Sequence, residues 1–297
     1  MNARVGIDLG GTKIEAVVLD DNGAVLQRRR VKTPDSDYRA IIDAIGRLVD
    51  SLALDAAATP HIGIGIPGSI SPDTGLVRNA NTECLNGQPF KSDLEIRLNC
   101  GLRVENDANC LVLSEVMRGV AAGAGSVFGV IIGTGTGGGV CINGELVTGR
   151  NAVAGEWGHN PVPWPVEPAQ SRPCYCGREN CVETFLCGRG LLRSYQLRGG
   201  EGIDSVEGLV ISAANGNEKA VATLDCYPQQ LAACLATVIN ILDPELVVLA
   251  GGLSNLPDLA QLTERALPRY VFSDHVATRV VSAELGDSSG VFGAACL

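Results

Sequence analysis

The chain predicts an α/β fold built from two halves of one plan, and three observations carry that expectation. Short apolar strand-like runs alternate with longer helix-periodic stretches, the pattern of sheets covered by helices. A strand, glycine turn, strand, tight turn, strand arrangement at the N-terminus recurs around residue 130, so the tight turns Asn22-Gly23 and Asn143-Gly144 fall about 121 residues apart. Hydrophobic residues make up 45% of the 297, enough for a sizeable core, while aromatics at 4% require that core to be mostly aliphatic.

Val5 to Leu9 reads as a strand, Gly10-Gly11 as its turn and Ile14 to Leu19 as the returning strand; Asp21-Asn22-Gly23 then leads into Ala24 to Val31. Tyr38 to Leu54 has helical periodicity, with Ile41, Ile42, Ile45, Leu48, Val49 and Leu52 on one face. His61 to Ile66 is a strand stopped by Pro67-Gly68, and Asn79 to Phe90 is polar and aperiodic, a loop. Leu102 to Val104 is a short strand, after which Asn106-Asp107-Ala108-Asn109 caps a helix running to about Gly119. In the second half Val127 to Ile132 is a strand, Gly133 to Gly139 a turn and Val140 to Ile142 the return. Ala220 to Leu242 is a long helix ending at Asp243-Pro244, Glu245 to Leu249 a buried strand closed by Ala250-Gly251-Gly252, and Asn255 opens another helix. Gly286 to Gly290 starts a last short helix. The expected boundary lies near residue 119, giving a smaller domain over 1–118 plus about 286–297 and a larger one over 119–285.

A net charge of −10 argues against general binding to nucleic acid or to an anionic membrane. No apolar run reaches the roughly 18 residues a membrane helix needs, and no secretory signal is evident. Eleven cysteines without a framework then suggest a reducing, cytoplasmic setting, with Cys110, Cys141 and Cys234 expected in the core.

The chemistry concentrates in Gly155 to Glu183. Gly155-Glu156-Trp157-Gly158-His159 opens this stretch, and Cys174, Cys176 and Cys181 lie near its end, just before Glu183. One histidine and three cysteines in a segment too short for its own core are the donor set of a tetrahedral zinc site. The alternatives are thiols packed as small hydrophobes or a disulfide, and a Cys-x-Cys pair does not easily bridge to itself. Such a metal would pin His159, and with it Glu156, to Glu183, leaving the second imidazole nitrogen for another partner.

Asp8-Leu9-Gly10-Gly11-Thr12-Lys13 places an acid at a strand end before two glycines, whose N–H groups can approach an anion while Thr12 and Lys13 add a hydroxyl and a charge. Asp8 would then face a magnesium ion on phosphate oxygens, through water. Alone this turn reads equally as a plain hairpin. The second glycine turn, Gly133-Thr134-Gly135-Thr136-Gly137-Gly138-Gly139, makes a pair of them suited to a polyphosphate. Asp107 is the candidate general base; its position also suits a helix cap, and the roles can divide if a neighbour does the capping.

These residues resemble the ROK family (repressor, open reading frame, kinase) over nearly the whole chain. The likeness rests on Asp8 to Lys13, Gly65-Ile66-Pro67-Gly68, Glu105-Asn106-Asp107-Ala108-Asn109, Ile132 to Gly139, Gly155 to His159 and Cys174-x-Cys176-Gly177-x-x-x-Cys181-x-Glu183. The resemblance implies an actin-like ATPase (ribonuclease H-like) fold of two duplicated domains with a cleft between them. It implies an ATP-dependent sugar kinase with Mg²⁺, and a structural Zn²⁺ on His159, Cys174, Cys176 and Cys181. ATP contacts would come from Asp8, Gly10, Gly11, Thr12, Lys13, Gly133, Thr134, Gly135, Gly137, Gly251 and Gly252. Sugar contacts would come from Gly68, Asn106, Asp107, Glu156, His159 and Glu183, with Asp107 the base. A cytoplasmic homodimer and a final helix packed on the first domain are also implied.

Within the family, Asn79-Ala80-Asn81, Leu85 to Phe90 and Trp157 to Trp164 look most like bacterial fructokinases with mannose side activity. The resulting expectation is transfer to the 6-hydroxyl of fructose. N-acetylglucosamine, glucose and mannose kinases of the same family are the alternatives, as is a non-catalytic sugar or nucleotide sensor. Asn180 stands where the family usually has glycine; asparagine tolerates the left-handed backbone, so the knuckle is expected to survive. The family's repressors carry a DNA-binding helix pair ahead of the first strand, and only three residues precede Arg4.

Overall fold

In the first half β1 (Arg4–Leu9) and β2 (Lys13–Leu19) form an antiparallel hairpin with Asp8 opposite Glu15. The computed structural model describes residues 3–52, 61–286 and 289–297. β3 (Val25–Lys32) pairs outside β2, and its exposed Arg28 and Arg30 reach over to the buried Glu15 carboxylate. Helix α1 (Tyr38–Asp50) buries Ile41, Ile42, Ile45, Leu48 and Val49 and starts where the Asp37 carboxylate accepts the Ala40 N–H at 3.1 Å. Its expected continuation over residues 53 and 54 lies outside the described residues.

β4 (His61–Ile66) runs parallel to β1. A small hairpin follows, β5 (Ser69–Ile70) with β6 (Val77–Arg78). The stretch expected as a loop holds a single 3₁₀ turn, Glu83–Leu85, fastened where the Asn86 amide both accepts from and donates to the Ala80 backbone at 2.9 Å. α2 (Phe90–Leu98) ends on a left-handed Asn99 and leads to β7 (Leu102–Asn106), parallel to β4, and then α3 (Asp107–Arg118). The sheet order is β3-β2-β1-β4-β7.

The second half repeats the plan. β8 (Ser126–Ile132) and β9 (Thr136–Ile142) form the antiparallel hairpin, β10 (Glu145–Leu146) follows, and the chain then enters the cysteine loop. Helices α4 (Glu183–Leu186), α5 (Gly188–Leu197), α6 (Val206–Ala214) and α7 (Glu218–Leu242) come next. α7 starts two residues before the expected Ala220 because the Asn217 side chain caps it, accepting from Lys219 and Ala220. β11 (Leu246–Ala250) lies parallel to β8. Asn255 opens no α-helix: it closes a 3₁₀ turn, Gly252–Asn255, and α8 (Leu259–Ala266) begins only after Pro257, which holds Leu256 extended. β12 (Arg279–Ser282) completes the order β10-β9-β8-β11-β12. Two sheets of the same connectivity account for the recurrence seen in the sequence.

Helix α9 (Ser289–Ala294) packs on β1, β4 and α3 through glycines on both sides. A methyl group at Gly6 would lie 2.1 Å from the Val291 carbonyl, one at Gly63 1.9 Å from that of Ala294, and one at Gly293 1.7 Å from that of Cys110. The expected start of this last helix includes Asp287 and Ser288, which lie outside the described residues.

Packing divides the described residues into two compact units. The first takes the chain to Ala122, Glu145–Ala154 and the C-terminal stretch to Leu297; the second takes Gly123–Gly144 and Gly155–Gly286. Glu145–Ala154, expected in the second domain, joins the first because the Arg78 guanidinium donates to the carbonyls of Asn151 and Ala152. Each unit has its own core. The second buries Tyr195, Tyr227, Trp157 and Phe185 among aliphatic side chains, and the first is almost wholly aliphatic around β1, β4 and α1. Cys110, Cys141 and Cys234 are buried, as expected. No helix among the described residues is long and apolar enough to cross a membrane.

Candidate active-site residues

In the first unit the parallel strands β1, β4 and β7 end on one edge, where ligands of α/β sheets gather. That edge carries the Asp8 to Lys13 turn, Gly68, Asn106 and Asp107. Gly10 closes its turn by donating to the Lys13 carbonyl at 3.0 Å and accepts the Thr33 hydroxyl at 2.7 Å, while Gly11 faces open space. The Lys13 ammonium lies 3.9 Å from the Glu15 carboxylate. Gly68 has φ +109, and its carbonyl accepts the Asn106 amide at 3.1 Å. A side chain at Gly68 would meet the Arg78 carbonyl at 2.7 Å, so this holder of Asn106 has to be glycine.

The roles at the start of α3 divide. Asn106 is the cap, its side-chain oxygen accepting the Ala108 N–H at 2.8 Å, and Asp107 is the first helical residue, accepting the same N–H at 2.8 Å. The Asp8 carboxyl is pushed up to about 7 by burial first, then by the carboxylates of Asp107 and Glu15, with Lys13 opposing. Carboxylates crowded at a partly buried strand end fit a divalent cation, whose charge would remove the repulsion.

This shift has a sign that can be tested. The unfolded chain ionises Asp8 above its ordinary 3.8, whereas the folded chain holds the proton to about 7. Folding therefore takes up a proton in that window, and this contribution to stability falls as pH rises from about 4 to about 7. Asp8→Asn should gain stability relative to the parent chain across the window and keep a constant difference above it. Thermal unfolding of both proteins from pH 5 to 8 without metal checks this; parallel curves would contradict it.

In the second unit the glycine turn follows β8 and Gly251-Gly252 follows the parallel β11, again on one edge. Gly133 donates to the Gly135 carbonyl at 2.9 Å, tightening the turn, and its own carbonyl accepts the Gly188 N–H at 2.8 Å. Gly251 has φ +87, with the Ile132 carbonyl 2.4 Å from where a methyl would stand, and a methyl on Gly133 would lie 3.8 Å from the Gly252 nitrogen. The two glycine segments are thus neighbours. Gly137 plays a structural part, its carbonyl accepting the Trp157 indole N–H at 2.9 Å. A methyl on Gly158 would lie 1.9 Å from the Thr136 carbonyl, and one on Gly155 2.3 Å from that of Gly138. The later glycines of this turn therefore serve the close approach of the Glu156 loop to β9. Glu183 is fixed to the same turn, its Oε2 accepting the Thr136 N–H at 2.9 Å.

His159, Cys174, Cys176 and Cys181 come together with all donor atoms within 4.8 Å of one another. Cys174 Sγ is 3.6 Å from His159 Nδ1, and Cys176 Sγ is 3.6 Å from Cys181 Sγ. The second spacing excludes a disulfide, whose sulfurs sit near 2.0 Å, and equals about one edge of a tetrahedron with 2.3 Å metal–sulfur bonds. Burial works against ionising Cys176, but hydrogen bonds from Arg178, Cys174 and Cys181 bring its thiol down to about 6. The donor set and geometry fit zinc. Gly177, at φ +84, and Asn180, at φ +58, supply the left-handed turns of the knuckle, so asparagine does replace the usual glycine without loss of shape.

Sequence reasoning missed three participants. Tyr175, between two cysteines, donates or accepts through its hydroxyl at 3.0 Å from His159 Nε2, the nitrogen expected to be left for another partner, and its ring stands edge-on to the imidazole at 5.1 Å. Burial, followed by the carboxylate of Glu183, raises its phenol. Arg172 is buried and Glu15 is the buried anchor of three cations. A tyrosine inside a Cys-x-Cys pair was the available signal for the first; nothing local marked the other two.

Two like α/β units, each with a five-stranded sheet and a glycine turn after its first parallel strand, define an actin-like ATPase fold. The chain belongs to the ROK family, the match running over residues 4–297. Its relatives include N-acetyl-D-glucosamine kinases of Vibrio cholerae serotype O1, 36% identical over 297 residues, and of Escherichia coli O127:H6, 37% identical over 298, each match covering 98% of both chains. Among solved structures it resembles a ROK hexokinase from Thermus thermophilus, with TM-score 0.85, 29% identity and 99% and 96% of the two chains covered. It also resembles a ROK family glucokinase from Streptomyces griseus, in complex with glucose and AMPPNP, with TM-score 0.77, 28% identity and 99% and 98% covered. These relatives, matched over nearly their full length, carry the name that the sequence reading held as its alternative and so favour it over the expected leaning toward fructokinases.

Proposed function

We propose that this protein transfers the γ-phosphoryl group of ATP to a hexose hydroxyl in the cytoplasm, with N-acetylglucosamine the preferred acceptor. The observation that carries the reading is the pair of carboxylates, Asp8 and Asp107, at the carboxyl ends of parallel strands beside a glycine turn. The preferred sugar is supported by relatives 36–37% identical over 98% of the chain.

Asp107 accepts the proton of the attacking hydroxyl, and Asn106, tied to the Gly68 carbonyl, holds its place at the helix start. The backbone N–H groups of Gly10, Gly11, Gly133, Thr134 and Gly135 receive phosphate oxygens, with Thr12 and Lys13 adding a hydroxyl and a charge; Gly137 lies at the turn's end and Gly251-Gly252 beside the nucleoside. Asp8 would hold a magnesium ion, which when bound would supply charge neutralisation on those oxygens. Glu156, His159 and Glu183 take sugar hydroxyls. His159, Cys174, Cys176 and Cys181 would hold the zinc, which would brace the loop that presents them.

ADP release measured over N-acetylglucosamine, glucose, mannose and fructose, with a no-sugar control, tests this. The expected result is sugar-dependent release with the highest kcat/KM for N-acetylglucosamine. A fructose preference would restore the second reading, which the Trp157 to Trp164 segment favours. No sugar-dependent ADP release with any of the four would leave the non-catalytic sensor.

Tyr175 supplies a separate prediction. A sugar hydroxyl reaching His159 Nε2 has to displace the phenol from its 3.0 Å contact. Tyr175→Phe removes that competitor and should lower KM for sugar a few-fold, about the effect of one net hydrogen bond, with kcat little changed. Steady-state kinetics on the preferred sugar decides it; a raised KM would mean the phenol itself binds sugar.

A further inference from the structure

The second unit holds a cavity of about 360 Å³ beside the knuckle, walled by Arg172, Cys174, Tyr175, Glu183, Arg189 and Arg193 among others. Its charge is out of character for a chain of net −10. Arg172 is only 8% exposed. Its guanidinium donates to the carbonyls of Thr184 at 2.8 Å and Gly190 at 3.0 Å and to the Ser194 hydroxyl at 3.0 Å, and lies 3.9 Å over the Phe185 ring. Every one of those partners is neutral, and its Nε–H is buried without any partner. Among the described residues no carboxylate pairs with Arg172, Arg189 or Arg193. The carboxylates at hand are engaged elsewhere: Glu183 Oε2 accepts from Thr136 and Glu179 Oε2 from the Ser171 hydroxyl.

A buried cation surrounded by neutral partners and crowded by other cations is costly, and a concave, solvent-connected space beside it gives the compensating charge somewhere to sit. We propose that this cavity is a binding site for a small oxyanion, a phosphate or phosphate monoester, held by Arg189 and Arg193 over the fixed Arg172. The site is distinct from the glycine turns and does not depend on the kinase reading. Because Tyr175 and Glu183 form part of its wall, an occupant would bear on the sugar-facing residues.

Titration calorimetry of the zinc-loaded protein with inorganic phosphate, and separately with a hexose 6-phosphate, tests it. The exposed Arg189 and Arg193 can be replaced without touching the Arg172 contacts, so Arg189→Gln/Arg193→Gln should fold as the parent does. The expected result is saturable binding that weakens at least about tenfold in this double variant and persists in Lys13→Gln, which alters the first glycine turn. Tighter binding of inorganic phosphate assigns the site to the free anion, and tighter binding of the ester assigns it to a phosphorylated sugar. Binding lost in Lys13→Gln but kept in the double variant, or no binding of either anion, overturns the proposal.

Discussion

Asp107→Asn is expected to lower kcat by about 10²–10⁴-fold while leaving the fold and sugar affinity in place. The reason lies in the division of labour at the start of α3. Asn106 does the capping and keeps doing it, and the asparagine oxygen at 107 can still accept the Ala108 N–H. What is lost is a proton acceptor and one negative charge at a helix N-terminus, worth about 0.3–1 kcal/mol of stability. A second consequence separates this account from a merely structural one. The Asp107 carboxylate is the largest charge effect raising Asp8, so the variant should bring the Asp8 carboxyl down toward the ordinary range. Activity assays, thermal unfolding and carboxyl titration by NMR together make the test. Retained turnover would assign the base elsewhere, and an unmoved Asp8 would deny that the two carboxylates share one environment.

Much of this was legible in the sequence because it rests on local rules. The glycine-turn repeat announced two sheets of one topology, since the turn and tight-turn residues set strand connectivity directly. The metal donors were readable because ligand type and short spacing confine them to one loop. Asn180 could be judged on backbone preference alone, and its φ of +58 agrees. What was not legible depends on contacts between segments far apart in the chain. Gly155 and Gly158 read as part of a motif, whereas their need for bare backbone comes from β9 lying against them. The Glu145–Ala154 segment was misassigned because its anchor, Arg78, is remote in sequence. Nothing local marked Arg172, because its burial follows from the packing of α4 and α5. Sugar preference sits at the same level, because the side chains that would meet the substituents come from several loops at once.

Removing zinc should be the other large effect, and it should act on the sugar before it acts on the fold. The knuckle closes on itself through the isolated bridge of Pro173 with Glu179, and it is tied to the segment after His159 by the bridge of Pro161 with Cys181 and by Val162 and Val182 N–H bonds to the Asn180 and Asn160 carbonyls at 3.0 and 2.8 Å. Those ties survive metal loss, and Glu183 keeps its bond to Thr136. His159 keeps none of its metal-directed restraint, since Nδ1 then faces only a thiol at 3.6 Å. Structural zinc in small peptides is worth on the order of 10–16 kcal/mol apparent, but a unit with its own core will lose only part of that. A fall in Tm of about 5–10 °C corresponds to a few kcal/mol in a chain of this size. The expected outcome for chelated protein, or for Cys181→Ser, is that fall together with a KM for sugar raised about ten- to hundredfold. Zinc affinity should weaken as pH falls, because the thiols must shed protons to bind. Elemental analysis should find about one zinc per chain beforehand. A metal-free preparation with unchanged Tm and KM would remove zinc from the account and leave the cysteines as packing. A lowered Tm with an unchanged KM would keep the metal but detach it from the sugar, and His159 would then lose its second role.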